Sequence, residues 1–378
     1  MTKKEKLLSF ILLIETLSIA ALIYTIADIR TRMNNQLKSK YENSILISTP
    51  EDTDAADQII EKAELSANVS AHLVWWDQDN GFESIQNYGK YVYSVSPFWY
   101  ELTIDGEIET FSGAEDAEII DYLKENDIKI LPIISNEFER DRLADILQVE
   151  TKKQEHIEAL SLLAENYDGI SLNYENLNEE DKDNYTNFVK DLAEKLHSNG
   201  KVLSVHLHAK TDEPGTWNGP KAQDWQALSE YCDKLKIMAY DYHWSTSEAG
   251  AIAPPSWVED VVKHAKELIP AEKIYLGIPF YGYDWIDEAG SDVTYAKAIK
   301  VANLNDAAIQ FDTETQSPFF SYRDNDNLLH EVWFENAEST KAKLEIAKEY
   351  EIGGVDFWRL GGEDPDAWQE VENIFGII

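Results

Sequence analysis

The stretch YDGISLNYENL, residues 167–177, alternates apolar Ile170, Leu172 and Tyr174 with polar Ser171, Asn173 and Glu175. Side chains of a strand point to opposite faces in turn, so a strand here sends its three polar groups to one side. That polar face reads as an interior one. Ile170, Leu172 and Tyr174 supply an apolar face on the other side.

Working outward, short apolar runs alternate with longer amphipathic ones. Strands are expected at AHLVWW from Ala71, YVYSVSPFWY from Tyr91, IKILPIIS from Ile128, GISLNYE from Gly169, KVLSVHL from Lys201, KLKIMAY from Lys234, KIYLGIP from Lys273 and GGVDFW from Gly353. Between them, segments beginning at Glu115, Lys153, Asp181 and Trp257 repeat apolar residues every three and four positions, the spacing of helices, with Gly200 and Pro270 as stop signals. Eight such β units imply an α/β fold of the TIM (β/α)8 barrel type over residues 67–378. An open doubly wound sheet would more often carry a Gly-rich phosphate turn, and none is evident. Residues 286–335 break the rhythm with short β-like pieces, so a small α+β insertion is expected before the last barrel strand.

Composition narrows the partners. The chain of 378 residues has 33 Lys and Arg against 71 Asp and Glu, a formal charge of −38. Such a field repels phosphate backbones, which argues against nucleic acid as a partner. Cys232 is the only cysteine, so no intrachain disulfide or thiolate metal cluster can form. At the amino end, Leu7 to Ile29 is mostly apolar and carries no charged side chain apart from Glu15 and Asp28. About 20 such residues cross a bilayer as a helix, and Glu15 would cost on the order of 2.5 to 3.5 kcal/mol near the midplane. The expected organisation is a cytoplasmic tail over 1–6, a single-pass signal anchor over 7–29, a polar stalk over 30–66 and an extracytoplasmic barrel domain at the cell membrane. Lys3, Lys4 and Lys6 favour an inside amino end, and Arg30 and Arg32 oppose it.

In such a barrel the working groups stand at the carboxyl ends of the strands. Glu175 closes the fourth, Tyr240 and Asp241 follow the sixth and Trp358 ends the eighth. A carboxylate, a phenol and an indole face suit the hydroxyls and C–H surface of a sugar. His206 and His208, two apart on the fifth strand, suggest metal ligands, but no carboxylate lies at a matching spacing, so barrel lining or hydrogen bonding at the mouth is the better reading and no metal or cofactor is expected.

These segments resemble the signature strands of glycoside hydrolase family 18, the chitinase-like barrels. The family pattern Asp-x-x-Asp-x-Asp-x-Glu aligns with DGISLNYE, residues 168–175. VSPFWYELTIDGEI, IMAYDYHW, YLGIPFYGYDW and GGVDFWRLGGED resemble the bacterial branch acting on cell-wall or spore-cortex glycans. The resemblance implies substrate-assisted hydrolysis of a β-1,4-linked N-acetylglucosamine polysaccharide. It makes Glu175 the general acid and base, lets Asn173, Tyr240 and Asp241 hold the 2-acetamido group, and puts Trp358 under the distorted sugar. It also implies substrate contacts at Asp168, Ser171 and Met238. Trp99, Tyr100 and Tyr281 fit a cleft wall and fit core packing equally well. The sequence departs from the pattern where Ser171 and Asn173 replace the two inner aspartates. An asparagine accepts a hydrogen bond but offers no charge, so two classes stay open: a slowed glycosidase, and a glycan-binding relative with an open cleft.

Overall fold

The computed structural model describes residues 61–376. Its strands are β1 Asn68–Val74, β2 Ser94–Leu102, β3 in two pieces, Lys129–Ile130 and Ile133–Ser135, β4 Gly169–Asn173, β5 Val202–His208, β6 Lys234–Met238, β7 Ile274–Pro279 and β8 Gly354–Trp358. Neighbours pair in parallel, and β1 bonds to both β2 and β8, which closes an eight-stranded barrel. Pro132 interrupts β3 because it has no N–H for the ladder. Gly169 opens β4 because a Cβ there would lie 2.1 Å from the Val202 carbonyl oxygen.

Burial on both faces explains the alternation in β4. Ile170, Leu172 and Tyr174 are fully buried outside the barrel, where Tyr174 Oη meets His156 Nε2 at 2.7 Å. The helix carrying His156 is Glu150–Ala164. Ser171 and Asn173 take the other face, equally shut from solvent at 0% and 6% exposure. The periodic segments form helices Ala117–Glu125, Glu150–Ala164, Lys182–Ser198 and Pro255–Leu268. Asp116 caps the first by accepting from the Glu118 and Ile119 amides.

Two boundaries differ from the sequence reading. The insertion begins at Tyr281, where the chain turns from β7 straight into an antiparallel sheet of Tyr281–Ile286, Ala289–Thr294, Gln310–Asp312, Ser317–Arg323 and Leu329–Trp333. With helix Tyr295–Leu304 this sheet encloses its own small core around Phe320, Val332 and Phe334. At the other end, residues 61–66 belong to the barrel domain and not to a stalk. Ala63 N donates to Lys90 O, Ser66 N to Phe375 O, and Lys62 Nζ to the Gly89 and Val92 carbonyls. The expected anchor over 7–29 and most of the stalk lie outside the described residues; among the described residues no helix is long and apolar enough to cross a membrane.

Candidate active site

Glu175 stands two residues past the end of β4, at the carboxyl mouth of the barrel. Its main chain is fixed by one side chain that sequence reasoning passed over: Asn136 Oδ1 accepts from Glu175 N at 2.8 Å and Asn136 Nδ2 donates to Glu175 O at 2.9 Å. The carboxylate Oε1 accepts from Asn173 Nδ2 at 2.9 Å, and Oε2 lies 3.9 Å from His208 Nε2. Burial pushes the Glu175 carboxyl up to about 7, with Asp241 and Glu137 adding repulsion and the Asn173 hydrogen bond opposing it. Burial also holds His208 down at about 3, so it is neutral and offers Glu175 no counter-charge.

A cavity of about 990 Å³ opens over Glu175. Asn173, Met238, Tyr240, Asp241, Tyr281 and Trp358 all line it. Asp241 Oδ1 accepts from Tyr281 Oη at 2.5 Å and Tyr283 Oη at 3.0 Å, both tyrosines coming from the first insertion strand. Although Asp241 is an exposed residue, the surrounding cavity wall partly desolvates its carboxyl and raises it, and the two phenols oppose that rise. The insertion thus supplies one wall and fixes an acid of the other. Trp76, Phe138, Trp217, Tyr242 and Trp244 also border the cavity while remaining 39–51% exposed, a wall of aromatic faces left open to a long ligand.

Four candidate contacts fall elsewhere. Asp168 stands at the opposite, amino end of β4, where Oδ2 accepts from the Ile130 amide at 2.9 Å and Oδ1 lies 3.6 Å from Lys129 Nζ. Its carboxylate ties β4 to β3. Trp99 is fully buried in the main core, with Nε1 donating to Gln78 Oε1 at 2.7 Å, because this position of β2 faces the helices. Ser171 is one layer below the cavity, its Oγ 2.9 Å from His206 Nε2. Tyr100 is likewise core, bonded to Glu115 and Tyr167.

His206 and His208 do line the cavity, as barrel-lining residues. The carboxylate that spacing did not supply comes from another strand: ligand atoms of His72, His206 and Asp356 lie within 4.8 Å of one another. Lys236 Nζ, 2.8 Å from Asp356 Oδ1, already brings a cation to this group, so the set does not fit a divalent metal.

A carboxyl just past the end of β4, an acid and phenols following β6 and an indole on β8 line one aromatic-walled groove at the mouth of a TIM barrel, a setting that suits a glycan. The chain belongs to the glycosyl hydrolases family 18, whose model matches residues 99–364, and it is a glycosidase of that family. Among curated relatives it is 34% identical over 217 residues to the cortical fragment-lytic enzyme of Bacillus subtilis (strain 168), covering 55% of this chain and 50% of that protein. Among solved structures it is similar to a chitinase from Chromobacterium violaceum, with TM-score 0.76 and 26% identity over 81% of this chain and 98% of that one. It is also similar to the Bacillus cereus spore cortex-lytic enzyme SleL, with TM-score 0.75 and 27% identity over 83% and 76%.

Proposed function

We propose that this protein cleaves β-1,4-linked N-acetylglucosamine in a cell-wall type of glycan, with retention, through the substrate's own acetamido group. The observation that carries the reading is Glu175: a half-buried carboxyl at the cavity, fixed by Asn173 and raised to about 7, holds a proton at the pH where it must donate one. Glu175 passes that proton to the glycosidic oxygen as the bond to the anomeric carbon breaks. The acetamido carbonyl oxygen closes on the same carbon, forming an oxazolinium ion. Water, deprotonated by the Glu175 carboxylate, then opens the ring from the vacated side and regenerates the acid. Asn173 Oδ1 is buried and has no hydrogen-bond partner, so it is free to accept the acetamido N–H. Tyr240 and Asp241 frame the acetamido group and Trp358 supports the sugar.

The names of the cortex-lytic relatives favour peptidoglycan over chitin as the polymer. The apolar run at 7–29 supports attachment to the cell membrane with the barrel outside. Full-length protein is expected in the membrane fraction and cleavable by protease added to intact cells; a chain starting at residue 61 is expected in neither case.

The deciding comparison is reducing-end release from an N-acetylated glycan by wild type and Glu175→Gln. Wild type is expected to be active and the variant at least 100-fold slower, with the variant still retained on the polymer. The uncharged Asn173 favours a second reading, a glycan-binding protein. Wild type no faster than Glu175→Gln, yet bound to the glycan, would establish that reading instead.

A further inference from the structure

Directly under the cavity floor lies a layer that barrels usually fill with branched apolar side chains. Here it is charged. Ser171, Lys236 and Asp356 each stand two positions before a cavity-lining residue, namely Asn173, Met238 and Trp358, and so share its inward face. Asp356 Oδ1 pairs with Lys236 Nζ at 2.8 Å, and its Oδ2 lies 2.5 Å from His72 Nε2. Lys236 Nζ also donates to Ser70 Oγ at 3.0 Å and Ser96 Oγ at 2.8 Å. His72 sets its ring edge against the Trp358 indole, with centroids 5.0 Å apart, and lies 5.2 Å from the ring of His206, which meets Ser171. All of these polar side chains are at least 97% buried.

Burying such a pair is costly, and an apolar pair of the same volume would usually fill the space at no loss of stability. The network's contacts run to two functional parts: the indole on β8 and the polar row of β4. We propose that Asp356 is a positioning residue, the buried carboxylate that holds Trp358 through His72 and steadies the Ser171–Asn173 row through His206 in a chain whose β4 carries no inner acid. Asp356 touches no substrate itself. Lys236 supplies the counter-charge that keeps it ionised inside the barrel, and the carboxylate fixes His72 as the Nε2–H tautomer. The inference rests on the glycosidase reading given above.

Two sets of variants test it. Lys236→Met/Asp356→Leu removes both charges together and fills the volume, so no lone charge is left to unfold the barrel. Asp356 positioning predicts a folded protein with kcat lowered at least tenfold and KM within about twofold of wild type. A folded double variant with wild-type kcat and KM overturns the proposal and leaves the pair a packing feature. His72→Leu and His72→Gln keep the ion pair intact and therefore remain informative if the double variant does not fold. The glutamine amide still donates to Asp356, so His72→Gln is expected to retain most of the kcat that His72→Leu loses; equal kcat in both, at the wild-type value, overturns the proposal. If wild type is no faster than Glu175→Gln, the glycosidase reading fails separately, and calorimetric affinity for an N-acetylglucosamine oligomer becomes the readout. Affinity weakened in His72→Leu and restored in His72→Gln then supports positioning, and unchanged affinity refutes it.

Discussion

Asn173 Nδ2 donates to Glu175 Oε1 at 2.9 Å while Asn173 Oδ1 stays buried without a partner. One amide therefore does two separable things: its N–H favours the ionised form of the acid, and its oxygen is left for a donor from the ligand. Removing the N–H raises the Glu175 pKa. For Asn173→Ala the alkaline limb of the kcat/KM profile, expected near pH 7 in wild type, moves up by about one to two units, since a hydrogen bond to a charged group is worth roughly 1.5 to 3 kcal/mol. Asn173→Asp places a negative charge beside the acid, so the limb moves up as well, while kcat rises on the order of tenfold because charge now faces the developing cation. A limb unmoved in both variants would mean that the Asn173 bond does not tune the acid.

Burial of Glu175 has a stability cost of definite sign. The folded carboxyl titrates at about 7 and its reference value is 4.5, so between those pH values the unfolded chain has lost a proton that the folded one keeps. Stability therefore falls as pH rises from about 4.5 to 7 and stays low above that. Glu175→Gln removes the penalty and keeps the acceptor for Asn173. Urea unfolding at pH 8 should show the variant more stable by on the order of 3 kcal/mol at most, and the gain should vanish near pH 4.

Asn136 holds Glu175 by its backbone at both N–H and C=O. Asn136→Ala strands two polar main-chain groups and lets the acid swing. Loss of about 2 kcal/mol of stability is expected from unfolding curves, with kcat falling about tenfold or more and KM changing less, because a small misplacement of a proton donor is felt most in the transition state.

The barrel was legible from β4 outward because alternation and helical spacing are local properties of the chain. The site's acid, phenols and indole were legible too, since each ends a strand. The buried network was harder: Lys236 and Asp356 appear in the sequence only as single charges inside apolar runs, and their pairing, like that of His72 with Asp356, joins residues 120 or more positions apart across a closed barrel. Those mid-strand charges were the available signal. Asn136 gave none, because its role depends on a loop after β3 meeting the end of β4. Trp99 stayed open between cleft wall and core because aromatic residues on β2 face both ways, and periodicity alone does not say which face is the mouth.

Two acids in family-like motifs have opposite positions, which gives the last prediction. Asp168 braces β4 against β3 at the end of the barrel away from the cavity, through the Ile130 amide and Lys129. Asp241 meets Tyr281 and Tyr283 within the cavity wall. Asp168→Asn should lower stability by about 1 kcal/mol and leave kcat and KM within twofold of wild type, because its lost bonds are structural ones. Asp241→Asn keeps the volume but exchanges two charge-assisted acceptor contacts for neutral ones, so the phenols lose part of their hold. Transition-state stabilisation should drop by about 1.5 to 3 kcal/mol, a fall of roughly 10- to 100-fold in kcat/KM. Steady-state kinetics on the two variants beside thermal unfolding separates the cases, and an inactive but fully stable Asp168→Asn would show that the amino end of β4 reaches the chemistry after all.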